Sequence, residues 1–189
     1  MSSARHVIEA QFLREATGTT ALTRTLRKVV ALLAREGIPH LVCGGLAVQE
    51  NGYPRMTVDV DLIVPDVGVT RDYLSLHGFA EIAGNRMTVK DCETRVDVDL
   101  LPGGRSDGPT LVSFPMPTEI SAEPQWLSLE ALISNKLGIY YAAPRGQTRH
   151  LADVEELIKR VKPVRDLPVD PAVKDHYLKL WDGLQPTTS

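Results

Sequence analysis

Residues 55–64 read RMTVDVDLIV, and their alternation decides the fold. Acidic and apolar residues take turns, as they do in a half-buried strand. Side chains two apart in a strand share a face. Asp59 and Asp61 therefore point one way, and Val58, Val60 and Leu62 the other. Like charges on one face repel unless a cation or water separates them. The pattern predicts a strand carrying either a wet acidic face or a cation site. The alternation returns in TRVDVDLL, residues 94–101, which sets Asp97 and Asp99 on one face of a second strand.

Upstream, IPHLVCGG (residues 38–45) is a short apolar run ending in two glycines, hence a strand entering a tight turn. LAVQENGY (residues 46–53) follows as a brief helix closed by Asn51 and Gly52. Without side chains, Gly44 and Gly45 let a phosphate approach the backbone, and the free N–H groups and positive end of the next helix face it. If the two acidic strands are neighbours, up to four carboxylates crowd one patch. Mg²⁺ takes oxygen ligands, usually one or two carboxylates plus substrate phosphates. Two such ions about 3.5–4 Å apart clamp the attacking and leaving oxygens of phosphoryl or nucleotidyl transfer. Alternate strand positions lie roughly 6.5–7 Å apart, which lets two carboxylates straddle the pair. A third carboxylate from the other strand then holds a metal and accepts the proton of an acceptor hydroxyl.

Bulk properties agree with one soluble domain. The chain has 189 residues, 43% hydrophobic and 24% charged, with a formal net charge of −3. No basic coat argues for bulk nucleic-acid binding. Residues 1–37 carry a balance of +3, residues 38–144 of −7, and residues 145–165 of +3. An acidic middle between basic flanks suits a cation site beside a place for an anion. Cys43 and Cys92 lack any paired spacing and read as buried thiols in a reducing compartment. The N-terminal stretch is broken by Arg5, Glu9 and Arg14, so it predicts no signal peptide, and no apolar run suffices for a bilayer. These readings predict a cytoplasmic protein with no membrane partner.

Along the chain, residues 19–37 predict a helix with Thr19 or Thr20 as cap, Leu22, Leu26, Val29, Val30 and Leu33 as its apolar stripe, and Gly37 as its stop. The second strand is expected between Pro54 and Pro65, a helix up to Gly78, and a hairpin turning at Gly84 and Asn85. Residues 102–124 read as a long loop holding one short strand, TLVSF (110–114), followed by three helices. The first and last of these begin with a Ser or Asp cap.

The stretch GGLAVQENGYPRMTVDVDLIV (44–64) resembles the signature of the nucleotidyltransferase superfamily with the DNA polymerase β-like fold. That signature is a small-residue pair opening a helix, an acidic-x-acidic strand, and a later third acidic strand. SLEALISNKLGIYYAAPRGQTRHLADVEELIK (128–159) resembles the tail of its AbiEii-like, minimal branch. The resemblance covers roughly residues 38–160. It implies an α/β (α+β) nucleotidyltransferase fold, a small mixed sheet backed by helices, with a core over residues 1–125 and a helical section over 126–189 packed as one unit with it. It implies Mg²⁺-dependent transfer (two ions, Mn²⁺ as an alternative) of an NMP from an NTP to an acceptor hydroxyl. Gly44 and Gly45 would take the triphosphate, and Asp59 and Asp61 the metals. Asp97 and Asp99 both stand as the third carboxylate, with the ending DLLPGG leaning to Asp99. Lys136 matches the family's helix Lys, which neutralises phosphate charge. Relatives often carry Lys-Asp before LADV, where this chain has Arg149 and His150.

Two residues stay open on their own chemistry. Arg55 either reaches a triphosphate or ribose, or decorates a strand start. Thr57, on the Asp59 face, either bonds a phosphate or a metal-bound water, or serves as an ordinary β-former. The acceptor is an RNA 3′ end such as tRNA, a protein or a small molecule. The AbiEii-like branch adds a toxin–antitoxin role with a cognate antitoxin. The rival readings are a nucleotidyltransferase-fold binding protein without turnover and a metal-dependent phosphoesterase.

Overall fold

The computed structural model describes residues 20–106 and 108–185. The expected absence of a signal peptide and the cap at Thr19 fall outside these residues. Helix α1 (Ala21–Glu36) starts where the Thr20 hydroxyl accepts the Thr23 N–H at 3.1 Å and ends at Gly37, φ 76°. Its stripe of Leu22, Leu26, Val29, Val30 and Leu33 is buried.

Five strands form one mixed sheet. They are β1 (Leu41–Val42), β2 (Asp59–Val64), β3 (Phe79–Ile82), β4 (Asn85–Asp91) and β5 (Asp97–Pro102), in the order β1-β2-β5-β4-β3. The β2–β5 pair is parallel and the other pairs are antiparallel. Helix α2 (Gly44–Glu50) joins β1 to the segment before β2, and α3 (Val67–Ser75) leads from β2 to the β3–β4 hairpin. The C-terminal helices are α4 (Leu129–Ala142), α5 (Thr148–Val161) and α6 (Lys174–Gly183).

The sheet's two faces meet different partners. Val60, Leu62, Val64, Val98 and Leu100 pack with α1, Leu74 and Phe79. On the opposite face, Ile63 joins Cys43, Ala47 and Val48 beneath Leu132, Ile133, Leu137, Val154, Leu157 and Tyr177 of the C-terminal section. Asp59 and Asp61 share the face of Ile63 by strand alternation. The acidic face is therefore the one on which α4 and α5 lie.

Several local expectations need correction. Strand β2 begins at Asp59, not after Pro54, because the Arg55 carbonyl is taken by the Gln49 side chain and residues 55–58 pair with no strand. Val58 accordingly is 76% exposed and does not share the buried face of Val60. The hairpin turns at Ala83 and Gly84 (φ 78°), and Asn85 already belongs to β4. TLVSF forms no strand. Its backbone bonds go to Gly138 and Arg105 instead of a sheet edge, and a Cβ on Gly138 would lie 3.0 Å from the Val112 nitrogen. Ser128 starts α4 without a side-chain cap bond, and the last helix opens with a 3₁₀ turn, Pro171–Val173, capped by Asp170. Cys92 is exposed, unlike Cys43. No helix among the described residues is long and apolar enough to cross a membrane.

Candidate active site

The four aspartates converge. Parallel pairing sets Asp59 opposite Asp97 and Asp61 opposite Asp99, in register. Neighbouring strands lie about 4.8 Å apart, so the four positions form a small rectangle on one sheet face. Each carboxylate then meets a different environment. Asp59 accepts the Thr57 hydroxyl at 2.7 Å. Asp97 is ion-paired with Lys90 of β4. Asp99 accepts the Thr88 hydroxyl, also from β4. Burial raises the pKa of Asp99 above the usual carboxylate range, the Thr88 bond opposes this, and the charges of Asp59 and Asp97 add to it.

Asp61 sits deepest. Burial, then the charges of Asp59 and Asp99, push its pKa up to about 6, against the pull of Lys136 and the Gly45 N–H bond. The glycines explain the fit. Gly44 has φ 59°, and a Cβ there would fall 1.8 Å from Asp61 Oδ2. A Cβ on Gly45 would fall 2.4 Å from Thr57 Oγ1 and 2.8 Å from Arg55 Nη2. The two glycines form the first turn of α2, not a loop ahead of it. They let Asp61, Thr57 and Arg55 crowd against backbone, a role the sequence reading did not contain.

The cations stand behind this acidic face. Lys136, 5% exposed, bonds Asp153 Oδ2 at 2.7 Å. Arg55 Nε lies 3.1 Å from Asp153 Oδ1, an ion pair not aligned as a hydrogen bond. Arg55 thus reaches across to α5 and does not merely decorate a strand start. Burial lowers the Lys136 pKa, and Asp153 opposes that. Sequence reasoning missed Asp153, which joins the two cations, and Thr88 and Lys90, which separate Asp99 from Asp97. His150 stood in the sequence only as a departure from the Lys-Asp that relatives carry. His150 and Asn135 line a cavity together with Asp61, Gly44 and Lys136.

Among the described residues, no three His, Cys, Asp or Glu side chains make a metal cage unaided. The donor set nonetheless fits Mg²⁺. It is all hard oxygen, it lies on one face, and Mg²⁺ usually completes its shell with substrate phosphate and water. Asp97 is occupied by Lys90 and Asp61 is folded onto the glycine turn, which accounts for the open arrangement.

No family model matches the sequence, and no curated protein does. Among solved structures, the chain is similar to the crystal structure of ANT(2″)-Ia in complex with adenylyl-2″-tobramycin. The TM-score is 0.50 at 15% identity, over 85% of this chain and 95% of that one. It is also similar to the solution structure of the antibiotic-resistance factor ANT(2″)-Ia, with a TM-score of 0.51 at 16% identity, over 84% of this chain and 92% of that one. The chain has the mixed α/β nucleotidyltransferase fold of these neighbours. At such identity the likeness speaks for the fold.

Proposed function

We propose that the protein is a nucleotidyltransferase that moves a nucleoside monophosphate from an NTP to an acceptor hydroxyl and releases pyrophosphate. The observation that carries this reading is the in-register pairing of Asp59 with Asp97 and Asp61 with Asp99 beside the Gly44–Gly45 turn. Asp59 and Asp61, with Asp99 as the third carboxylate, would hold Mg²⁺ or Mn²⁺. The metal would neutralise the triphosphate and orient it for in-line attack.

The chain's own residues do the rest. Gly44 and Gly45, whose missing side chains make space for Asp61 and Thr57, bring the start of α2 up to the triphosphate, and Lys136 and Arg55 supply positive charge behind it. Asp153 holds both cations in place. Asp99, held by Thr88, accepts the proton of the acceptor hydroxyl as its oxygen bonds the α-phosphorus and the bond to pyrophosphate breaks. Asp97 is committed to Lys90 and stays outside the chemistry. Thr57 orients Asp59 through its hydroxyl.

A small-molecule hydroxyl is the acceptor best suited to this site. The −7 balance over residues 38–144 repels a polyanion such as RNA and tolerates a neutral or cationic molecule. ANT(2″)-Ia was crystallised with adenylyl-2″-tobramycin, a product of that kind. Incubation with α-labelled NTPs, Mg²⁺ and cell extract tests the proposal. The expected result is pyrophosphate release with label on a small molecule, lost in Asp59→Asn. Label on RNA would move the acceptor to the toxin-like class. Free phosphate instead of pyrophosphate would make the protein a phosphoesterase. Metal-dependent NTP binding without transfer would leave a binding protein.

A further inference from the structure

A cavity of about 250 Å³ opens beside Asp61 and Gly44 and runs between the end of β5 and the inner faces of α4 and α5. Leu101, Phe114, Leu132 and Ile139 make most of its wall apolar. The polar side chains are few: Asp61 at one end, then Asn135, Lys136, Gln147 and His150. Lys136 is already bound to Asp153. Asn135 is 4% exposed, and its Nδ2 donates to the Ser113 carbonyl at 3.2 Å. Its Oδ1 is buried with no hydrogen-bond partner among the described residues, and the same holds for His150 Nδ1. A buried acceptor left unpaired is destabilising by about 1–3 kcal/mol. Such a group in a folded protein calls for a partner from outside the chain, a water or a ligand that donates to it.

The cavity's chemistry narrows the occupant. Burial, then the charges of Lys136, Arg149 and Arg55, hold the His150 pKa down at about 4, against the opposing effect of Asp153. The imidazole is therefore neutral near pH 7 and meets a ligand as a polar edge without charge. A largely apolar cavity with an unpaired carbonyl acceptor and a neutral imidazole suits a heteroaromatic ring with an N–H on its edge. A phosphate brings acceptors only and would leave Asn135 Oδ1 unpaired. Every nucleobase presents such an N–H. We infer that this cavity seats the base of the donor nucleotide, with Asn135 Oδ1 accepting an N–H from the base edge and His150 reading the adjacent atom. This inference rests on the nucleotidyl-transfer reading and adds to it the residues that recognise the base. The triphosphate would then lie toward Gly44 and Gly45, which line the mouth of the same space or adjoin it.

Calorimetric titration in Mg²⁺ with each of the four NTPs and with inorganic tripolyphosphate tests this. The wild-type protein is expected to bind at least one NTP roughly ten- to a hundredfold more tightly than tripolyphosphate. Asn135→Leu should remove most of that gap and leave the tripolyphosphate Kd in place. His150→Leu, on a different helix, should narrow the gap in the same way, and it serves if Asn135→Leu does not fold. Equal binding of tripolyphosphate and all NTPs by the wild type would overturn the base pocket and leave nucleotidyl transfer standing. An NTP preference unchanged in both variants would overturn the roles of Asn135 and His150. Binding of neither ligand would overturn the transfer reading and this inference with it.

Discussion

Asp97 and Asp99 occupy alternate positions of β5 and share a face, yet β4 gives one of them Lys90 and the other Thr88. A carboxylate already neutralised by an ammonium is a poor base, whereas one held by a hydroxyl keeps its free oxygen. Asp99→Asn should therefore lower turnover by roughly 10²–10⁴-fold, the usual contribution of a general base. Asp97→Asn should change it by only a few fold. Steady-state pyrophosphate release from both variants, with thermal melting to confirm folding, decides between them. The sequence alone left this pair open, because a period of two puts both side chains on one face and the separating residues lie on another strand. Gly44 makes a second case at this scale. Its φ of 59° favours glycine, and a Cβ would overlap Asp61. Gly44→Ala is expected to destabilise the fold by about 1–3 kcal/mol from the backbone conformation. It should also push Asp61 off the turn, so activity falls further than stability. Urea denaturation beside turnover measures both. The glycine pair was visible in the sequence, but the carboxylate it accommodates was not, since that contact depends on how β2 sits against α2.

At the scale of elements, two charge networks join segments distant in sequence. Asp91 at the end of β4 bonds Lys28 at 2.7 Å and the Thr25 hydroxyl at 3.0 Å, both from α1. Burial alone would raise the Asp91 pKa, but Lys28, the Glu93 N–H and Thr25 outweigh it, and the folded value lies below the usual one. The unfolded chain then binds the proton more readily. The stabilisation is complete above the unfolded value near 4 and is lost as pH falls through the folded one. Thermal midpoints between pH 7 and pH 3 should fall on the acid side, and the fall should be shallower in Asp91→Asn. The second network joins α4 and α5 through Lys136, Asp153 and Arg55. Asp153→Ala would strand two buried cations beside each other and should destabilise by roughly 3–5 kcal/mol, read by urea unfolding. Lys136 was singled out from sequence, and Asp153 was passed over because its partners lie on α4 and before β2. A signal existed: Lys136 is flanked by Ile133 and Leu137, and Asp153 by Val154, so each charge sits on a face that had to be buried.

At the scale of the molecule, the sheet separates two apolar clusters, and the acidic patch lies on the face that α4 and α5 cover. The two acidic strands and the C-terminal helices were legible because each rests on a local period of two or of 3.6, whereas the mixed sheet was implied by the family resemblance. TLVSF was misread because its β-branched and aromatic composition suits a strand, while its actual partner is the small side of α4 at Gly138, a contact no local pattern encodes. We propose that residues 1–125 and 126–189 fold as one cooperative unit, because the second cluster takes members from both sides of that boundary. Without the C-terminal section, Ala47, Val48 and Ile63 would lose their cover of Leu132, Ile133, Leu137 and Val154. Val42 would also lose the backbone bond that Leu127 makes to its carbonyl at 2.9 Å. The full chain is therefore expected to unfold in urea in a single transition that fluorescence and circular dichroism report alike. A fragment of residues 1–125 should bind a hydrophobic dye and lack a sharp transition. A fragment that instead melts cooperatively and leaves the dye unbound would show that the sheet and its first cluster stand alone. The helices that complete the active face would then be an appended layer.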